Sequence, residues 1–321
     1  MKSIIFVSII ITTYKRYDNI EKIIFKLSQN YLNFKYFEIL ICDSFLFTYP
    51  NKIKNLIKRY SYLKIKYYNI NENIHSIKRN IGIKKSSGDF LIFLDDDCFP
   101  EKNFIKNFYK LIKKIKYNKV ILSGSVKYEN LSNNFLNYRQ SRQFCYDKSL
   151  FLSEKEISPK NIVTMNFACK KNDIINILEF DERFNRYGFE DYEFAYRAKT
   201  KNFKLLSCGV KVVHKDERSF STFLNKISFL ALEGMSYLMK INIKAAKKNN
   251  FYKLENNLLI RLVLNIKFSH IFLNTMIKFL IILDKYRLCN FFMYKLSITL
   301  AYLYGVACRK HKEKSNLIWY K

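Results

Sequence analysis

The chain has 321 residues, 49% of them hydrophobic and 17% aromatic, with only 7 Gly and 3 Pro; this excludes collagenous, low-complexity and disordered classes and suits one large α/β domain, or one domain plus an appendage. Lys and Arg outnumber Asp and Glu by 57 to 27, a formal net charge of +30. Part of that excess follows a Lys-, Asn-, Ile-, Tyr- and Phe-rich composition of the kind an A/T-biased genome produces, and the rest favours polyanionic company: anionic lipid, nucleoside diphosphate or nucleic acid. The 7 cysteines are odd in number and none has metal-knuckle or redox-pair spacing, which points to a reducing compartment.

The amino terminus starts basic and turns apolar like a signal peptide. It runs into Thr12-Thr13-Tyr14-Lys15-Arg16 without a small-residue cleavage site, so Ile4 to Ile11 reads as a buried first strand. A loop from Thr12 to Tyr17 follows, then a helix capped by Asp18 with Ile20, Ile23, Ile24 and Leu27 on one face. Phe37 to Cys42 is a second strand ending on Asp43, Pro50 opens a helix carrying Ile53, Leu56 and Ile57, and Leu63 to Tyr68 is a third strand. Ile74 to Lys85 brings Arg79, Asn80 and Gly82, on a segment otherwise basic through Lys78, Lys84 and Lys85. Gly88 and Asp89 make the turn before Phe90 to Leu94, an apolar run that stops on Asp95, Asp96 and Asp97. Pro100 starts the next helix, amphipathic through Phe104, Ile105, Phe108, Leu111, Ile112 and Ile115.

Strands alternating with helices in this way predict a parallel, doubly wound sheet, whose ligands sit beyond the carboxyl ends of the strands. Two readings of the acidic triplet stand at this point. It is either a set of hard oxygen ligands whose repulsion is relieved by Mg²⁺ or Mn²⁺, or an acidic turn capping the next helix. Val120 to Val126 is a further strand, and Ile162 to Ala168 is strand-like. Gly188 frees a turn, after which Glu190 and Asp191 open a helix buried through Phe194, Ala195 and Ala198. Acids there are held by the helix dipole and free backbone amides, as caps or as functional groups. Leu205 to Val213 is a last strand delivering His214, a residue type that serves equally as packing or as ligand.

Taken in order, these pieces resemble the family 2 glycosyltransferases, which have the GT-A fold. The resemblance rests on Val7 to Arg16, the strand ending on Asp43, Arg79-Asn80-Ile81-Gly82, and Gly88-Asp89 before Leu94-Asp95-Asp96-Asp97. It covers residues 1–218 and implies an α/β, doubly wound mixed sheet with a helical carboxy-terminal appendage. It implies nucleotide contact for Thr12, Tyr14, Arg16 and Asp43. Ser44 and Phe45 stand where the family has a second acid and glycine, which leaves the nucleobase open. Arg79 offers a planar fork and Asn80 an amide donor to a diphosphate. By the same resemblance Asp95 and Asp97 meet ribose and metal, Asp96 joins them in binding the nucleotide sugar, and Asn166 lies near donor and acceptor. Asp191 is the implied catalytic base, with Glu190 holding the acceptor. His214 is the implied third protein ligand, with Asp97 and Asp95, to Mn²⁺ or Mg²⁺. Residues 128–160, with Arg139, Arg142, Phe144 and Tyr146, read as an acceptor-facing loop with helical pieces.

Residues 219–321 have another character, with seventeen Lys and Arg against four acids. Leu254, Leu258, Leu262 and Ile266 lie at helical spacing, and Ile271 to Leu283 and Leu288 to Cys308 are strongly apolar. Lys295 near the middle of the second run disfavours a true span, so membrane-surface helices meeting anionic lipid are expected, beside a single span or a soluble helical cap. The expected whole is an inverting, metal-dependent glycosyltransferase at the cytoplasmic face of a membrane, moving a sugar from a nucleotide-sugar donor to a glycan or lipid-linked acceptor in surface-glycan synthesis, without a nucleic-acid partner. A processive synthase would carry a Gln-x-x-Arg-Trp signature, whereas the one tryptophan, Trp319, follows Asn316-Leu317-Ile318. A non-catalytic sugar-nucleotide binder or a nucleic-acid-binding protein is the alternative.

Overall fold

The computed structural model describes residues 5–31, 35–44, 50–115, 118–129, 134–142, 152, 156–175, 178–185, 187–215 and 219–312. Phe144, Tyr146 and Trp319 lie outside them. The chain order is β1 (Val7–Thr13), α1 (Tyr17–Tyr31), β2 (Phe37–Asp43), α2 (Asn51–Arg59), β3 (Lys64–Asn69), α3 (His75–Lys85), β4 (Phe90–Asp95), β5 (Cys98–Pro100), α4 (Phe104–Lys114), β6 (Val120–Tyr128), α5 (Asn134–Ser141), β7 (Asn166–Lys170), α6 (Lys171–Ile174), α7 (Glu190–Thr200) and β8 (Lys204–His214). Helices α8 (Phe220–Phe229), α9 (Met235–Ile241), α10 (Ile243–Lys248), α11 (Asn250–Glu255), α12 (Leu258–Asn265), α13 (Ser269–Lys285) and α14 (Phe291–His311) follow, with a π-helical stretch, Leu230–Gly234, joining α8 to α9.

The eight strands form one mixed sheet in the order β3-β2-β1-β4-β7-β6-β8-β5. Strands β1 to β4 are mutually parallel where they pair, whereas β7 runs antiparallel to both β4 and β6. Side chains alternate across β1, so Val7, Ile9 and Ile11 meet α1 and α4 residues such as Ile23 and Phe108. Ile10 turns the other way, into a cluster with Ile83 of α3 and Phe194 of α7. Both faces are therefore covered, which is why β1 and β2 are buried along their whole length and mostly apolar without alternation. A Cβ on Gly82 would stand 2.4 Å from the Ile10 side chain. Glycine there lets α3 lie close on β1 and carries the preceding Arg79 to the strand ends.

Some element boundaries differ from expectation. Pro100 does not start a helix. It pairs with Val212 as the last residue of β5, and α4 begins only after Asn103, whose φ of 63° turns the chain. Helix α1 starts at Tyr17, so Asp18 sits in its first turn, facing Lys52, rather than ahead of it. The strand expected over Ile162 to Ala168 is shifted to Asn166–Lys170, where it meets β4 and β6.

Contacts divide the chain into two compact units. One is Met1–Glu129, Gln143–Asn185 and Glu190–Asp216, which holds the sheet; the other is Asn130–Arg142, Arg186–Phe189 and Glu217–Lys321. The helical unit thus recruits two short earlier segments as well as the basic tail. Leu254, Leu258 and Leu262 do not share one helix: Asn256 and Asn257 interrupt it, and Asn257 caps α12 by accepting from the Ile260 amide. Within this unit α14 is a core helix. Tyr294, Ala301, Tyr302, Val306 and Ala307 are buried, while Lys295 is exposed. Its polar groups are paired inside the unit: Tyr302 Oη and Arg309 Nη2 each donate to Glu255 Oε2 at 2.9 Å, and Tyr294 Oη donates to Asp284 at 2.6 Å. Among the described residues α14 is the one helix long and apolar enough to cross a membrane, yet half of that window is buried inside the protein.

Candidate active site

The site is built from strand ends. Parallel register sets Thr12 beside both Cys42 and Asp95, and Thr13 beside Asp43, so the carboxyl edge of β2-β1-β4 gathers them in a row. After Asp95 the chain turns sharply through Asp96 and Asp97 and runs back as β5 along the end of β8, which sets Cys98 opposite His214. That pairing is what brings His214 to the triplet: its Nε2 lies 3.3 Å from Asp97 Oδ1. Arg16, from the loop after β1, extends Nη1 to Asp96 Oδ1 and Asp97 Oδ2, both at 3.0 Å. Thr13 Oγ1 donates to Asp96 at 2.8 Å.

Burial acts on these acids unequally. It raises the Asp95 carboxyl to about 7, against the pull of Arg79 and with the help of the neighbouring acids. Asp97 is partly buried, but His214 and Arg16 hold it well below the usual carboxylate range. The Asp97 carboxylate, the Cys98 thiol and the His214 imidazole place ligand atoms within 4.8 Å of one another. Among the described residues His214 Nδ1 and Thr12 Oγ1 are buried without a hydrogen-bond partner, which argues that this edge is made to meet something besides protein. A carboxylate with an imidazole suits Mn²⁺ better than Mg²⁺, which prefers oxygen throughout. Asp95, expected as a ligand beside Asp97, is not in that group, and its Oδ1 faces Arg79 Nη2 at 3.5 Å.

A second carboxylate centre stands at the start of α7. Asp191 accepts from the Thr164 amide at 3.2 Å and from the Thr164 hydroxyl at 2.9 Å. Arg79, only 3% exposed, puts Nη1 at 3.3 Å from Asp191 and 3.8 Å from Glu190 while its other arm faces Asp95. One guanidinium therefore ties the strand-edge acids to the helix-start acids. Beneath it lies the Phe180 ring, 5.3 Å from the guanidinium carbon and stacked at 4.2 Å on Phe194. Burial among three carboxylates is not the surface position that a basic helix suggests.

Other expected residues have different tasks. Asn80 is 1% exposed and turned away from the edge: its amide nitrogen donates to Phe180 O and Glu182 Oε1, both at 2.8 Å, and its oxygen accepts from the Phe180 amide. It clamps the 180–182 segment and has no donor left for a diphosphate. Asn166 likewise gives its amide nitrogen to Ser125 O and Val210 O, keeping a buried Oδ1 without a partner among the described residues. Asp43 is at the edge but fully buried, accepting from Tyr17 and Tyr67 hydroxyls at 2.9 Å each. Tyr14 is 42% exposed, just past the end of β1.

Three participants escaped the sequence reading. Lys78 is wholly buried, donating at 2.7 Å to Thr13 O and Asn73, and burial lowers its ammonium to about 8. The signal available was the absence of a clean apolar stripe on α3, whose buried side is largely polar. Cys98 is a ligand candidate only because β5 reverses. Thr164 carries no local signal, since it meets Asp191 only through the tertiary fold.

The model of the family described as "Glycosyl transferase family 2" matches residues 8–173. A dolichyl N-acetyl-alpha-D-glucosaminyl phosphate 3-beta-D-2,3-diacetamido-2,3-dideoxy-beta-D-glucuronosyltransferase of Methanococcus voltae is 35% identical over 124 residues, 37% of each chain. Chondroitin synthase of Pasteurella multocida (strain Pm70) is 24% identical over 242 residues, 63% of this chain and 24% of that one. The chain thus spans only a minor part of either relative's length. Among solved structures, the mannosyltransferase PcManGT from Pyrobaculum calidifontis in complex with GDP-Man and Mn²⁺ is similar with a TM-score of 0.62 at 12% identity, over 98% of this chain and 89% of that one. S. aureus TarS 1-349 in complex with UDP-GlcNAc gives 0.52 at 14% identity, over 96% and 92%. At such identities the likeness is one of fold.

Proposed function

The chain belongs to glycosyl transferase family 2, and on that premise we propose that it is an inverting, metal-dependent glycosyltransferase of glycan synthesis, passing a sugar from a nucleoside-diphosphate donor to an acceptor hydroxyl. The observation that carries this reading is the Arg79 bridge, which sets the strand-edge acids and the α7 acids around one buried cation. We assign catalysis to residues 1–218 and treat 219–321 as an appendage.

In this reading Thr12, Tyr14, Arg16 and the edge of β2-β1-β4 receive the nucleotide, with Lys78 fixing the loop after β1 through the Thr13 carbonyl. Asp97 and His214 would hold a divalent cation, with Cys98 adjoining; when bound, such a cation neutralises charge on the leaving diphosphate. Asp191 takes the proton of the acceptor hydroxyl as that oxygen attacks the anomeric carbon. The new C–O glycosidic bond forms while the bond from the anomeric carbon to the diphosphate oxygen breaks. Thr164 and Arg79 fix the plane of the Asp191 carboxylate, so its basic lone pair is aimed before the acceptor arrives. Glu190, beside it, is the acceptor-holding residue. The substrate in the name of the Methanococcus voltae relative, a dolichyl-linked sugar phosphate, supports a lipid-linked acceptor. Six described cysteines are free and buried, which supports the reducing, cytoplasmic side of a membrane.

The test is calorimetric titration of UDP, GDP, CDP and dTDP, with and without Mn²⁺, on the natural chain and on Asp97→Asn. Manganese-dependent binding of one nucleotide, lost in the variant, is the expected result and identifies the base. Binding of none of the four under either condition overturns the reading.

A further inference from the structure

The helical unit leaves a large apolar face uncovered. Helix α13 buries Leu273, Ile277 and Leu280, yet its opposite side carries Ile271, Phe272, Phe279, Ile282 and, just past its end, Tyr286, all more than half exposed. A helix packed on one side only should be polar on the other. The face continues onto α12, where Leu258 and Leu259 are 73% and 72% exposed, and through Ile266 and Phe268 in the sharp elbow between the two helices, whose axes bend by 102°. Within it an open cavity of about 170 Å³ is lined entirely by aliphatic side chains of Leu259, Ile260, Val263, Leu264, Leu273 and Leu303. So much contiguous exposed apolar surface marks an interaction site rather than ordinary surface.

Charge selects the occupant. Between residues 256 and 312 nine Lys and Arg stand against one acid, Asp284, and that acid already accepts from Tyr294. Lys267, Lys278, Lys285, Arg287 and Lys295 are exposed beside the apolar residues. A second copy of this face would bring those cations together, whereas anionic headgroups would neutralise them while the bilayer interior received the phenylalanines and leucines. We propose that the α12–α13 face docks on the surface of an anionic lipid bilayer, with the elbow entering the acyl region and the aliphatic cavity taking a lipid tail. This differs from a span: α14, the long apolar helix, is engaged in the unit's own core. It goes beyond the catalytic reading and does not depend on it.

The experiment is flotation of the full chain with vesicles of phosphatidylcholine alone and of phosphatidylcholine with phosphatidylglycerol, at low and high salt. Nucleotide binding is measured on the same preparation, so failure here and failure of the catalytic reading separate. The natural chain should float with the anionic vesicles, less at high salt, and much less with neutral ones. Phe272→Asp and Leu259→Asp, both at exposed positions that folding does not need, should each weaken partitioning by about tenfold or more. Lys278→Glu should weaken it about fivefold or more on anionic vesicles only. Absence of flotation overturns the proposal. So does flotation that Phe272→Asp leaves unchanged, or a concentration-dependent dimer abolished by Phe272→Asp in a chain that ignores vesicles.

Discussion

The sheet buries carboxylates at both of its edges, and the two edges treat them in opposite ways. At the amino edge Glu38 is wholly buried, and every donor around it is aimed at it: the Ser8 hydroxyl at 2.7 Å, the Lys66 ammonium at 2.7 Å, and the Ser87 amide and hydroxyl. Ser8 in turn accepts from the Gly88 amide. That network is closed. At the carboxyl edge three consecutive acids share Arg16 and Arg79 with two more, burial raises Asp95 to about 7, and His214 Nδ1 and Thr12 Oγ1 have no partner among the described residues. A buried carboxylate with all its partners serves folding; a cluster with surplus negative charge and unpaired buried atoms serves a ligand. The same criterion separates Asn80 and Arg79, which are neighbours in sequence.

Four substitutions test whether the two edges differ in this way. The largest effect is expected for Asp191→Asn, which should lower turnover by about 10³-fold while donor binding survives; rapid-quench turnover beside calorimetry checks both, and a donor affinity that falls in step would move Asp191 out of its role as base. Next, Asp97→Asn should weaken manganese-dependent nucleotide binding by about 100-fold with little change in thermal midpoint, since that edge is built for a ligand. Glu38→Gln should do the reverse, costing about 2 kcal/mol of stability and leaving nucleotide affinity alone.

Glu38 also gives the comparison a pH dependence. Burial pushes its carboxyl up, but Lys66, Ser8 and Ser87 together bring it below the ordinary 4.5. A depressed carboxylate contributes stability that is present above its unfolded value and disappears as pH falls through the folded one. Denaturant unfolding of the natural chain should therefore lose stability below pH 4.5 more steeply than Glu38→Gln; parallel curves would show that the network is worth nothing. The smallest effect is expected for Asn80→Ala, about 1 kcal/mol by urea unfolding with unchanged donor affinity, because both ends of that amide serve the 180–182 segment.

The strand–helix alternation, the carboxyl-edge location of Asp95 to Asp97 and the helix start at Glu190 were legible in the amino-acid order alone, because buried parallel strands and helix termini leave local marks: unbroken apolar runs, turn residues and acids. That order also marked the tail as apolar, basic and helical. Which polar groups meet depends on long-range packing. The return of β5 along β8 joins Cys98 and His214 to Asp97; the close packing at Gly82 lets Arg79 reach Asp191, 112 positions further along the chain; and Asn80 is claimed by a backbone segment 100 residues away. Likewise, apolar spacing in the tail made helices certain but left their inner and outer faces alike, because both sides of α13 are hydrophobic. Periodicity records that a side chain is apolar; packing alone decides whether protein or something else covers it.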